Sequence, residues 1–300
     1  MMPDFGYFLS QLFNGIKLGS VYAMVAIGYS MVYGILRLIN FAHGDIMTVG
    51  VYTILVLFTT YGMPLWLTII ISVAISIIVG LTAERVAYRP LRSSGEETTL
   101  ISSLAVSILI QNIIVMVFSP QRVAFHLPDY LSKLHTFGTV RLSTMNIITF
   151  VAVFVILIAL SYMIKNTRVG MAMRACSDNM NAARLMGINV TTIIVIAFAI
   201  GSALAALSGL MLAGEYKTID PLMGFVPGLK AFCAAVLGGI GSLGGAVLGG
   251  FILGIIEMLF AGLMPTEITP YRDAFVFLVL ILVLLIKPNG ILGSNEGGRS

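Results

Sequence analysis

Residues 46–83 read IMTVGVYTILVLFTTYGMPLWLTIIISVAISIIVGLTA, 38 consecutive positions without Lys, Arg, Asp or Glu. A membrane-spanning helix needs about 20 mainly apolar residues, so this stretch has room for two. Tyr61-Gly62-Met63-Pro64 divides it, because glycine and proline interrupt a helical ladder. Further uncharged runs cover 18–36, 98–121, 142–164, 185–214, 231–256 and 274–286.

The whole chain follows the same rule. Of its 300 residues 58% are hydrophobic and 10% charged, with a mean hydropathy of +1.02, whereas soluble domains carry about 25% charged residues. Inside a bilayer every backbone polar group must be satisfied internally, which leaves helices or a closed barrel, and strand-like alternation is missing. The expectation is an all-α polytopic membrane protein, one transmembrane domain over 1–300 with about eight transmembrane helices. Residues 1–14 carry no Lys or Arg, the wrong flank for a cleaved signal, so the first helix is expected to be retained.

Several chemistries are excluded by what the chain lacks. No Gly-x-x-x-x-Gly-Lys-Ser/Thr occurs, so the chain is not itself an ATP-binding subunit. Gly239-x-Gly241-x-x-Gly244 matches a dinucleotide fingerprint in letters only, without the strand or the acidic residue that the motif needs. Cys176 and Cys233 suggest neither a disulfide framework nor a metal cluster, and both read as structural. No catalytic set stands out. The net charge of +4 matters through its placement in connections and not as a nucleic-acid footprint.

Lys and Arg resist transfer across the membrane, so they orient the chain. Arg85, Arg89 and Arg92 mark one cytoplasmic connection, and Lys165, Arg168, Arg174 and Arg184 mark another two spans later. Lys287 and Arg299 then place the C-terminus in the cytoplasm. Four crossings after Arg184 would break that parity, so the glycine-rich stretch 238–245 is expected to be broken or re-entrant, between two short halves, and the N-terminus to lie outside.

Four groups of residues are singled out. Asn40, His43 and Asp45 form the densest polar cluster of the first half. By span counting they sit near the cytoplasmic boundary, either as a gate or as a helix start, with Asp45 capping a helix from Ile46. Glu257 is a pathway or pairing candidate, while Lys230 and Lys17, one turn inside the first helix, read as snorkelling side chains. Gly201, Ala205, Gly209 and Ala213, and likewise Gly241, Gly245 and Gly249, recur every fourth residue, the pattern of a close helix-packing face. In the segment 165–189, Met171, Ala175, Ala182, Leu185 and Met186 keep helical spacing around a Ser177-Asp178 cap, giving short amphipathic helices that face a partner or the membrane surface.

Asn181-Ala182-Ala183-x-x-x-Gly187 resembles, with Asn in place of Glu, the loop by which ABC importer permeases dock on their ATPases. Leu38-Ile39-Asn40-Phe41-Ala42-His43-Gly44-Asp45, Met173-Arg174-Ala175 and the run from Lys230 through Gly250 look like the branched-chain amino acid permeases of the LivH type. The similarity covers nearly the whole chain. It implies a permease of the bacterial inner membrane for Leu, Ile and Val, working with a second permease, two ATP-binding subunits and an extracytoplasmic binding protein. ATP and Mg would be bound by those subunits, with no cofactor or metal in this chain. It also implies that Arg174, Ala175, Asn181, Ala182, Ala183 and Gly187 carry the coupling loop. Permeases of this class also transport amides and urea. An ion-coupled secondary transporter using Glu257, or an enzyme gathering His43, Asp45 and Glu257 around one site, are the rival readings.

Overall fold

The computed structural model describes residues 5–37, 39–92, 94–137 and 140–293; residues 1–4, Leu38 and Arg299 lie outside them. In chain order the helices are α1 (Phe5–Leu36), α2 (His43–Ile54), α3 (Leu65–Ala83), α4 (Glu96–Phe118), a single turn α5 (Asp129–Ser132), α6 (Thr144–Asn166), α7 (Arg168–Asp178), α8 (Met180–Leu185), α9 (Val190–Tyr216), α10 (Phe225–Gly238), α11 (Leu243–Leu263) and α12 (Arg272–Ile286). Eight helical segments among the described residues are long and apolar enough to cross a membrane. The protein is an all-α polytopic membrane protein.

Local chemistry explains the boundaries. The 46–83 run does form two helices: α2 runs on through a π turn at Leu55–Thr60, and α3 starts after Pro64. α3 does not stop at its first charges but continues through Glu84–Tyr88 and Arg89–Leu91, where Arg92 turns back to an ion pair with Glu84. Polar side chains at helix starts hold amides that have no partner within the helix. Ser143 and Asn146 form a reciprocal capping box on α6, Asn189 accepts from Thr192 on α9, and Ser242 accepts from Gly245 on α11.

The glycine-rich stretch reverses the chain. α10 has 14 residues, about 21 Å and too short to span. Gly239 and Gly241 then take φ of +109° and +88°, which side chains resist, and α11 returns at a full 21 residues. Only α10 is therefore a short half, and α9, α11 and α12 supply the three full crossings that the parity argument needs.

α1 forms the centre of the bundle. Of its most apolar window 89% is buried, against 22%, 17% and 6% for α4, α6 and α12, which surround the core. It packs antiparallel on α11 at backbone contact: a Cβ at Gly254 would collide with the backbone of Gly19, and one at Gly250 would lie 2.5 Å from Ala23 Cα. Gly249 and Gly245 meet the α10 backbone at Ala234 and Gly238 in the same way. Gly241, grouped with them by spacing, stands in the turn before α11 and not on its face. The α9 stripe holds as a face, with Gly201, Ala205, Gly209 and Ala213 buried, and a Cβ at Gly209 would come 2.8 Å from the Met47 carbonyl of α2. A further stripe was not singled out from the sequence: Thr68, Ser72, Ser76 and Gly80 of α3 are buried at the same four-residue spacing, and Ser72 donates to the Gly50 carbonyl of α2 at 2.7 Å.

Two expectations need correction. Strands do occur, but only in connections: β1 (Val123–Ala124) pairs with β4 (Thr218–Ile219), and β2 (Leu134–Phe137) with β3 (Val140–Ser143), both antiparallel. The β1–β4 pair ties the α4–α6 and α9–α10 connections together at one end of the bundle. Lys17 stands 12 residues past Phe5, about three turns in and not one, and is half-buried.

Candidate functional site

Asn40, His43 and Asp45 do come together, but not in a boundary loop. The chain turns at Arg37, φ +52°, and runs back into the bundle, so that α2 begins at His43 against Gly28 of α1. Gly28 lies eight residues before the end of α1, about 12 Å along the axis. Asp45 is not a cap: Ala42 occupies the N-cap position without a side-chain bond, and Asp45 sits in the first turn, fully buried. There the positive end of the helix dipole favours a carboxylate.

α4 supplies the partners of Asp45 that the sequence reading missed. Thr99, Ser103 and Ser107 are buried at four-residue spacing, and Gln111 continues the row. Ser107 Oγ donates to Asp45 Oδ2 at 2.5 Å, Gln111 Nε2 to Asp45 Oδ1 at 3.0 Å, and the Phe41 amide to Ser103 Oγ at 3.4 Å. Tyr88 Oη donates to Asn40 Oδ1 at 2.7 Å. Ser, Thr and Gln on a helix otherwise rich in Ile, Leu and Val were the available signal, because polar side chains in a span seek partners inside the bundle.

His43 closes the cluster on the α1 side. Its ring lies 4.6 Å from that of Tyr29, its burial is nearly complete, and its Nε2 has no hydrogen-bond partner. Gly44 is pressed against Gly224 and Gly228, so the first turns of α2 and α10 meet backbone to backbone.

Glu257 belongs to a second cluster. It accepts from Tyr22 Oη at 2.9 Å and from Lys230 Nζ at 2.6 Å, and Lys230 also reaches Asp273 Oδ1 at 2.7 Å. Arg272 Nε completes the group at 3.7 Å from Glu257. Lys230 therefore does not snorkel: its side chain is 4% exposed, because two carboxylates supply inside the bundle what water would supply outside it. No hydrogen bond or ion pair among the described residues links Glu257 to His43 or Asp45, so the three do not form one site. No group of three or more His, Cys, Asp and Glu side chains among these residues has metal-binding geometry.

The 165–189 segment forms α7 and α8, as the spacing predicts, with one correction. The cap of α8 is Asn179, whose side chain accepts from the amides of Asn181 and Ala182, while Ser177 and Asp178 are still in α7. α7 is fastened to its own chain: Arg174 donates to the Ile164 carbonyl, Met173 and Cys176 are buried, and Ser177 donates to the Gly34 carbonyl. Burial raises the Cys176 thiol above its ordinary pKa. Of the motif residues, Ala183 is buried, whereas Arg174, Asn181, Ala182 and Gly187 are exposed and Ala175 is half-buried. Gly187 adopts φ +84° in open space, so its backbone and not crowding selects glycine. Leu185 and Met186 are 89% and 83% exposed, two large apolar side chains with nothing of their own chain over them.

A family model described as "Branched-chain amino acid transport system / permease component" matches residues 11–284. The high-affinity branched-chain amino acid transport system permease protein LivH of Salmonella typhimurium is 41% identical over 309 residues, covering 99% of each chain. BraD of Pseudomonas aeruginosa, with the same description, is 42% identical over 98% of this chain and 99% of its own length. Among solved structures, PsaBC from Streptococcus pneumoniae in complex with Fab aligns over 93% of this chain and 92% of its own, with a TM-score of 0.52 and 12% identity, a likeness of fold alone.

Proposed function

Because the chain belongs to the branched-chain amino acid permease family and is the permease of an ABC importer, we propose that it carries leucine, isoleucine and valine inward. We place it in the bacterial inner membrane, with the α7–α8 loop and the C-terminus in the cytoplasm and the N-terminus outside. Its companions in this reading are a second permease, two subunits that bind ATP and Mg, and an extracytoplasmic binding protein.

The observation that carries the coupling assignment is the exposed pair Leu185–Met186, which follows the exposed Arg184 in the chain, on a loop whose α7 is fastened to the bundle. An exposed apolar pair with a basic side chain next to it fits a protein surface that is apolar with an acidic group at its edge. Asn181, Ala182 and Gly187 lie on the same short stretch, while Ala183 seats α8 from beneath.

The Asn40–His43–Asp45 cluster is the proposed gate. Its seam at Gly44, Gly224 and Gly228 is backbone against backbone with Thr48 and Tyr29 at its edge, and parting it would expose an imidazole, an amide and a carboxylate to a zwitterion. Selectivity can reside in the soluble receptor, so the path needs only weak contacts. Rocking of the helices by ATP-driven closure of the partner subunits supplies alternating access.

The test is purification with the two ATPase subunits and uptake of labelled leucine into proteoliposomes. Replacing Leu185 and Met186 together by Ser should release the ATPases and abolish ATP-dependent uptake, with the permease still folded. Full association in that variant would refute the docking assignment, and gradient-driven uptake by the permease alone would refute the importer reading.

A further inference from the structure

The turn between α10 and α11 lies where α7 meets α1, and the hydrogen bonds there run in series. Ser177 of α7 donates to the Gly34 carbonyl of α1. One turn earlier on α1, Ser30 Oγ accepts from the Gly241 amide at 3.0 Å and donates to the Ser242 carbonyl at 3.3 Å. A Cβ on Gly34 would stand 3.5 Å from Gly241 Cα, so this end of α1 touches the turn directly. The opposite side of the turn is also held: the amides of Ile291 and Leu292 donate to the carbonyls of Leu237 and Gly238 at 2.9 and 2.8 Å.

α7 and the turn at the C-terminal end of α10 are thus both bonded to α1, one helical turn apart. The N-terminal end of α10 rests on Gly44 through Gly224 and Gly228, at the first turn of α2. Its middle is pinned to α11 by the Lys230–Glu257 ion pair, so the hairpin moves as one body. A small cavity of about 100 Å³, lined by Ser30, Gly34, Met173, Ser177 and Gly241 among others, leaves room for the junction to shift.

We propose that α10 is the lever of the transport cycle, and that Ser177 and Ser30 are the positioning residues that deliver movement of α7 to the turn and so to the seam at Gly44. This rests on the importer reading for its direction of work. Gly239 and Gly241 serve it by letting the turn reverse tightly enough to sit under α1. Each serine acts through backbone atoms: Ser177 through the Gly34 carbonyl, and Ser30 through the Gly241 amide and the Ser242 carbonyl.

Two measurements test it. In the assembled importer, S30A/S177A should keep ATP hydrolysis within about twofold of the parent while leucine moved per ATP falls by about fivefold or more, the range of an ordinary coupling between sites. Ser177→Thr, which keeps the hydroxyl, should restore the ratio. An unchanged ratio, or uptake and hydrolysis falling together, overturns the linkage. In the permease alone, Ser177→Ala should speed hydrogen exchange at the amides of 239–242 by about fivefold, the loss of one hydrogen bond, although Ser177 bonds to none of them. Unchanged exchange there overturns the linkage whether or not the importer reading stands, whereas absence of ATP-driven uptake in the parent complex overturns only that reading.

Discussion

Around Lys230 each charge faces an opposite one, whereas around Asp45 the partners are a hydroxyl, an amide and the first turn of a helix. Lys230, Glu257 and Asp45 are all buried in the same bundle, while Arg272 and Asp273 reach its surface, and the buried three would be expensive to leave unsatisfied. The difference lies in what a movement would cost. Pulling Lys230 from Glu257 would separate two full charges in the interior and leave each to its second charged partner alone, Asp273 and Arg272, so α10 is tied to α11. Asp45 is held by dipoles, and the neighbouring His43 Nε2 has no partner to lose. Among the described residues no cation pairs with Asp45. One cluster ties α10 to α11, and the other sits where α2 meets α10.

This contrast can be broken most forcefully at Lys230. Lys230→Met should cost about 3–5 kcal/mol, the usual penalty for removing one member of a buried pair, and be seen as a collapse of folded yield in detergent. Pairing it with Glu257→Gln should recover much of that yield. No recovery would mean that Lys230 acts through something other than charge balance.

A smaller effect on stability, and a larger one on transport, is expected at Asp45. Asp45→Asn keeps the shape but loses one acceptor for Ser107 or Gln111, costing about 1–3 kcal/mol. Leucine uptake should fall by about tenfold or more, well beyond the loss in folded protein. Uptake that merely tracks the amount of folded protein would make the cluster structural, like its counterpart.

The mildest change is Tyr88→Phe, which removes the bond to Asn40 and leaves its Oδ1 without that donor. About 1 kcal/mol of thermal stability should be lost, with a modest drop in uptake. A loss as large as that of Asp45→Asn would extend the gate to the end of α3.

Much of the molecule was legible in residue order. The spans, the break at Tyr61–Pro64 and the reversal in 238–245 follow from apolar length and from glycine and proline, which act over a few neighbouring residues. The helical nature of 168–185 followed from spacing, and its cap failed because Asn179 competes better for two amides than Ser177 or Asp178, which the helix had already absorbed. Lys230 was misread because snorkelling is the default when the partner is unknown, and its partners stand 27 and 43 residues away. Asp45 was misread for the same reason, since Ser107 and Gln111 reach it from another helix.

The sequence by itself determined that this chain lives in a membrane, that its apolar runs make about eight spans, and where several of its turns lie, because insertion free energy is a sum over local stretches. Its likeness to a family of permeases was equally visible in contiguous motifs. Only the tertiary structure decided that α2 starts inside the bundle, that the short helix α10 runs from a turn held by α1 to that start, and which polar groups neutralise one another. Those are pairings between distant residues, and in a medium as apolar as most of the side chains they depend on which backbones pack closely enough to bring them together.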